Sequence, residues 1–320
     1  MLPNPHPRWI AAILAASIFT ASGSAQEPTA PSTSAPQTTE LTFALERGRM
    51  TVPVVVAGQG PFDFLIDTGA ERSVVSHELA GRLNLRPGDA MRVFDFVGPS
   101  DVATVHIPAL AVSNLGGQAI EAPALAMANL GALGMLGIDA LQGHRLAIDF
   151  ARRRMEVRPS TRRVRGELIV STQQRVGQLI ITAASFQGQP IAVVIDTGSW
   201  VSIGNSAMLA LAKQPPRRLG PISVTSVTGR SFDAELMVVS DLKIGDVRFD
   251  NVGLSFADVA PFERFGLRDK PALILGMSSL RLFRRIEMDF ANREIGFSLP
   301  VPPIDFHNVC RSISSCRSYR

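Results

Sequence analysis

The order of landmarks in this 320-residue chain repeats once, and a duplication on that scale confines the fold to two homologous lobes. The first copy opens with Met50-Thr51-Val52-Pro53-Val54-Val55-Val56, turns at Gly58-Gln59-Gly60 and climbs through Phe64-Leu65-Ile66 into Asp67-Thr68-Gly69-Ala70. The second opens with Gln178-Leu179-Ile180-Ile181-Thr182, turns around Gln187-Gly188-Gln189 and climbs through Val193-Val194-Ile195 into Asp196-Thr197-Gly198-Ser199. Two β-rich runs around a glycine-containing turn predict a hairpin. Each hairpin therefore delivers its second strand to an Asp-Thr-Gly triplet. A short helix follows in both copies, with Ser76 capping Leu79 and Ala80, and Asn205 capping Met208 and Leu209. Next comes an apolar-glycine run, Leu136-Gly137-Ile138-Asp139 in one copy and Leu275-Gly276-Met277-Ser278 in the other. Both copies close with a hairpin carrying Asp-Phe-x-x-Arg, at Asp149-Phe150 and Asp289-Phe290. A period of roughly 130 residues is too long for a solenoid and fits paired lobes.

The apolar content of 46% against 19% charged residues predicts packed cores. Val, Ile and Leu outweigh the aromatic residues, which favours strands. The expected class is all-β with short helices, two homologous lobes with a cleft between them. The expected boundaries are a first lobe over 41–158, a basic linker over 159–166, a second lobe over 167–300 and a tail over 301–320. Ahead of them, Arg8, the apolar run Trp9 to Phe19, and the small residues Gly23 and Ala25 predict a signal peptide over 1–25. That run is short for a bilayer span of ~20 residues, so a retained anchor is the weaker reading and no stable membrane span is expected after cleavage. Residues 26–40, rich in Pro, Ser and Thr, read as a flexible spacer. Export across an inner membrane to a periplasm is the expected fate. Cys310 and Cys316 are the two cysteines, and an oxidising compartment allows a bridge between them or leaves two unpaired thiols. A formal charge of +4 is too mild to call for nucleic acid. Arg152-Arg153-Arg154 reads as a solvated hairpin turn. The scattered His residues offer no metal-ligand spacing, so neither a metal nor another cofactor is expected.

Two carboxyls brought about 3 Å apart cannot both ionise cheaply, so such a pair holds one proton over a broad acidic range. The ionised partner takes a proton from water, and the protonated partner hydrogen-bonds to the carbonyl under attack. The neighbouring residues suit that chemistry. Gly69 and Gly198 have no side chain to block a tight turn or the approach of the opposite lobe. Thr68 and Thr197 can hydrogen-bond across the lobe interface, and Ile66 and Ile195 keep the pair dry. A single Asp-Thr-Gly carries little weight, with roughly 0.06 expected by chance in a chain of this length. Two triplets inside a matched repeat carry much more.

These residues resemble the pepsin/retropepsin clan of aspartic proteases, above all its exported bacterial members, over about residues 45 to 300. Asp67-Thr68-Gly69-Ala70 is similar to the viral-type motif and Asp196-Thr197-Gly198-Ser199 to the pepsin form. The two apolar-glycine runs resemble the element that braces each catalytic turn. The resemblance implies an aspartic endopeptidase with Asp67 and Asp196 as its catalytic pair, supported by Thr68, Gly69, Thr197, Gly198 and Ser199. It implies an extended polypeptide as substrate, with one chain sufficient for activity. The tyrosine of the pepsin flap has no counterpart, since Tyr319 stands alone near the end of the chain. Flap hairpins are expected instead near Phe96-Val97-Gly98 and Val227-Thr228-Gly229. Ala70 has no hydroxyl while Ser199 has one, so Asp196 is expected to ionise more readily than Asp67. Asp139, Asp149 and Asp289 are expected to be structural. A catalytically silent peptide-binding or scaffold protein on the same fold is the alternative; a glycosidase is disfavoured by the identity of the two turns.

Overall fold

Every second residue of Arg49–Val56 turns inward, with Met50, Val52, Val54 and Val56 fully buried. That period-two pattern makes a strand with one face on a core. The computed structural model describes residues 39–299, apart from 43, 47–48, 113–114, 142, 161–163, 167 and 176–177. The expected signal segment, most of the expected spacer, and Cys310 and Cys316 lie outside the described residues.

Almost all the regular structure is β, as the composition predicts, with a few short helices. In the first lobe, Arg49–Val56 pairs antiparallel with Gln59–Ile66, whose far edge pairs parallel with Gly134–Leu136. The sheet continues through Val74–Ser76, Leu115–Leu125 and Thr104–Val112. Arg49–Val56 also pairs with Thr104–Val112, so this sheet closes on itself. The second lobe repeats the plan. Gln178–Phe186 pairs with Gln189–Ile195, which pairs parallel with Ala272–Leu275. In both lobes the apolar-glycine run is thus the strand beside the one that ends in Asp-Thr-Gly. The predicted caps are present: the Ser76 side chain accepts from the Leu79 amide at 3.0 Å, and that of Asn205 from the Met208 amide at 2.9 Å.

The closing hairpins meet each other. His144–Asp149 pairs antiparallel with Arg285–Asp289, placing Arg145 opposite Asp289 and Asp149 opposite Arg285. Arg154–Pro159 and Glu294–Ser298 flank this central pair, and Leu168–Arg175 runs from this shared sheet into the second lobe, pairing first with Glu294–Phe297 and then with Gln178–Ile181. Thr39–Thr42 adds to the other edge beside Arg154–Val157, so the chain is already strand at Thr39, inside the spacer expected over 26–40. The lobes are therefore joined by backbone pairing as well as by side chains.

Candidate active site

Both triplets sit where a buried strand ends. The Asp67 amide donates to Leu136 O at 2.9 Å, and the Asp196 amide to Leu275 O at 3.1 Å, so each turn is pinned to the apolar-glycine strand beside it. A second pin follows, from the Ile138 amide to Ala70 O at 2.9 Å and from the Met277 amide to Ser199 O at 2.8 Å. Behind these lies a brace that the repeat contains but the motif does not reveal. The Ser73 hydroxyl accepts from the Gly137 amide at 3.1 Å, and the Ser202 hydroxyl from the Gly276 amide at 3.0 Å. Ser73 donates in turn to Asp139 at 2.7 Å, while Ser202 shares a 2.8 Å hydrogen bond with Ser279. Both serines follow their Asp at the same interval, which is the signal in the sequence that could have found them.

The structure brings the two turns into contact. The Thr68 amide donates to the Thr197 hydroxyl at 3.1 Å, and the Thr197 amide to the Thr68 hydroxyl at 3.2 Å. Each hydroxyl then donates across the boundary, Thr68 to Ile195 O at 3.0 Å and Thr197 to Ile66 O at 2.8 Å. Both threonines are buried, so none of these bonds competes with water. The glycines lie against the opposite carboxylates. A Cβ at Gly69 would come 2.7 Å from Asp196 Cγ, and one at Gly198 only 2.1 Å from Asp67 Cγ.

The Asp67 and Asp196 carboxyls are close enough for their titrations to couple. One oxygen of each is also held by its own turn. Asp67 Oδ1 accepts from Gly69 and Ala70 amides at 2.7 and 3.0 Å, and Asp196 Oδ1 from Gly198 and Ser199 amides at 2.8 and 3.0 Å. Burial raises the pKa of both carboxyls, and the negative charge of Asp67 pushes Asp196 further, well above the usual carboxylate value. The hydroxyl on which the expected asymmetry rested is turned elsewhere. The Ser199 hydroxyl donates to Val201 O at 2.9 Å rather than to Asp196, so it does nothing to favour the ionised form. Arg49, meanwhile, draws Asp67 down. Its guanidinium is anchored on Leu130 O at 2.6 Å, a contact the sequence reading did not single out.

The other expected site residues fall on two hairpin tips. Val97 and Gly98 lie between strands Met91–Phe94 and Pro99–Val102, and Thr228 and Gly229 between Arg217–Thr225 and Ser231–Val239. The tips touch one another through Asp95, which the sequence reading passed over: Ser226 Oγ donates to Asp95 Oδ2 at 2.7 Å. Asp149 and Asp289 lie in the sheet between the lobes, away from the paired turns, and Asp139 lies in the brace.

Comparison with known proteins divides the chain at the same place. Residues 52–143 match the family model described as "gag-polyprotein putative aspartyl protease", and residues 182–279 match the one described as "Aspartyl protease". Among solved structures, the chain is similar to a retropepsin-like aspartic protease from Rickettsia conorii at 17% identity. That match covers 39% of this chain and 94% of the other, with a TM-score of 0.28. No curated protein matches.

Proposed function

We propose that this chain, which matches an aspartyl protease family model in each lobe, is an aspartic protease whose catalytic pair is Asp67 and Asp196, and that it cleaves peptide bonds in extended polypeptides. The observation that carries this reading is the reciprocal contact of the turns, which holds two buried carboxyls close enough to share one proton. In this scheme Asp196 carries the shared proton and Asp67, which faces the pull of Arg49, is the base. Asp67 takes a proton from a water molecule as its oxygen attacks the scissile carbonyl carbon. Asp196 gives its proton to the carbonyl oxygen, producing a neutral tetrahedral gem-diol. Asp67 then passes its proton to the amide nitrogen, Asp196 recovers one from a hydroxyl of the gem-diol, and the C–N bond breaks to give acid and amine. The protein is read as exported to a periplasm, on the apolar segment near its N-terminus.

Cleavage of an unstructured protein such as casein, across acidic and neutral pH, tests the reading. Loss of products in both Asp67→Asn and Asp196→Asn, together with inhibition of the unaltered chain by a statine-type compound, is the expected result. Activity surviving either substitution would overturn the shared mechanism. A correctly folded chain that binds the inhibitor yet cleaves nothing would point to the silent binder.

A further inference from the structure

The two hairpin tips are docked reciprocally, each on the lobe it does not belong to. Phe96 of the first lobe packs into the second-lobe cluster of Ile180, Val194, Ile203 and Phe262, beside Val201. Its ring meets that of Phe232 edge-on at 5.8 Å, and its carbonyl accepts from the Ala260 amide at 3.0 Å. Val227 of the second lobe packs on the first-lobe cluster of Leu65, Leu130 and Met135, beside Ala70. Ala70 directly follows one Asp-Thr-Gly turn and Val201 lies three residues beyond the other, so each tip packs on a cluster that also receives a residue next to a carboxylate turn. Arg264 fastens one side. It pairs with Glu71 at 2.6 Å and lies over the Phe94 ring at 4.2 Å.

Where the tips meet, Asp95 is the hub. Its Oδ1 accepts from the Val97 and Gly98 amides of its own turn at 2.8 and 3.0 Å, and from Arg230 at 2.9 Å. Its Oδ2 accepts from the hydroxyls of Ser226 and Thr228. Arg230 also donates to Gly98 O at 2.7 Å. Asp95 is only 6% exposed. Burial opposes its charge, but the Thr228 and Ser226 hydroxyls and the two amides outweigh burial and hold it below the usual carboxylate range. A buried carboxylate with this many donors is a strong junction, because charge-assisted hydrogen bonds gain in a low-dielectric setting.

Beyond the sheet they share, the lobes meet at the Thr68–Thr197 contact and again at the tips, and these contacts close a ring. We infer that Asp95 is a positioning residue that latches the two tips into one lid, and that an internal stretch of polypeptide reaches the carboxylates only when Asp95 lets go of Ser226, Thr228 and Arg230. A free chain end can thread a closed ring, but an internal segment cannot. This inference rests on the reading of Asp67 and Asp196 as the reacting pair.

The test uses the full chain, with Asp95→Ala on one side of the latch and the double substitution Ser226→Ala, Thr228→Val on the other. The second variant keeps the question open to experiment should Asp95→Ala fold poorly. Amide hydrogen exchange reports the lid without any catalysis. At least about tenfold faster exchange is expected at both tips in each variant, including Gly229 when only Asp95 is changed, with the Gln59–Ile66 strand unaffected. Acceleration confined to Val97 and Gly98 in Asp95→Ala would show Asp95 to be a local turn cap and would overturn the latch. A statine-type inhibitor supplies the second readout: association and dissociation should both quicken by about tenfold in the variants, whereas mere damage to the site would slow association. If no form binds the inhibitor while the tip amides respond as expected, the reading of the carboxylate pair fails and the latch between the tips stands.

Discussion

Arg145 of the first lobe forms a 2.8 Å ion pair with Asp289 of the second, with 2% and 0% of their side chains exposed. The same guanidinium reaches Glu287 at 2.9 Å. A buried pair of this kind contributes little against a well-packed apolar alternative, but removing one partner strands charge in the interior. Arg145→Ala would leave two buried carboxylates, partly relieved by Arg158 and Ser160. A loss of about 3–5 kcal/mol is expected. Urea unfolding checks it, and a change below about 1 kcal/mol would show that the network carries no weight in joining the lobes.

Asn205 is more than the helix cap that its place in the sequence predicts. Besides accepting from Met208, it accepts from the Ala272 amide at 3.0 Å and donates to the carbonyls of Leu267 and Lys270 at 3.0 and 2.7 Å. Among the described residues, the side chain of Ser76, its counterpart, bonds only to the Leu79 amide. Losing a cap costs about 1 kcal/mol, and each buried polar group left without a partner adds about 1–3 kcal/mol. Ser76→Ala should thus cost about 1 kcal/mol and Asn205→Ala about 3 kcal/mol or more. Equal losses in denaturant titrations would mean that water replaces the further bonds of Asn205.

The glycines at the centre are not interchangeable with alanine, nor with each other. A methyl at position 198 would lie 2.1 Å from Asp67 Cγ, against 2.7 Å between a methyl at 69 and Asp196 Cγ. Overpacking costs about 1–3 kcal/mol and pushes the carboxylates out of register. A displacement of about 1 Å at a reacting centre can lower the rate about a hundredfold. Gly198→Ala should lower kcat by about that factor and Gly69→Ala by less. Peptidase assays on folded protein decide it, and full activity in Gly198→Ala would show that the turns yield without cost.

The two-lobed plan was legible because duplication prints each landmark twice, and because strand, triplet and brace are local patterns of period two followed by glycine. The threonine exchange followed from the same reading, since Thr68 and Thr197 occupy matched places. What escaped was set by side-chain direction across the lobe boundary. The Ser199 hydroxyl could serve its own carboxylate or a nearby carbonyl, and only the structure shows that it turns to Val201. Arg49 is adjacent to the site in space but remote in sequence, so nothing local marks its effect on Asp67. Asp95 sits in a tip of ordinary turn composition, and its partners lie in the other lobe. Arg145 and Arg285 did leave a trace, as Arg-x-x-x-Asp-Phe recurs in both closing hairpins, but their pairing depends on how those hairpins meet.

The carboxylate pair should make stability depend on pH in the opposite sense to an ordinary ion pair. Burial, with the charge of Asp67 beside it, raises Asp196 well above its value in an unfolded chain. A carboxyl with a raised folded pKa binds its proton more tightly in the native state. Its stabilising contribution is complete below the unfolded value of about 3.9 and is lost as pH rises through the raised native value. The chain should therefore lose stability as pH rises above the ordinary carboxylate range, as the shared proton departs and peptidase activity declines. Asp196→Asn removes the titration and leaves a neutral partner for Asp67. Its stability should vary less with pH and exceed that of the unaltered chain near neutrality, while activity falls by at least about a hundredfold. Urea titrations of both forms at matched pH values test this. Parallel stability curves would show that the two carboxyls ionise independently, and a pair that ionises independently cannot hold one proton between them.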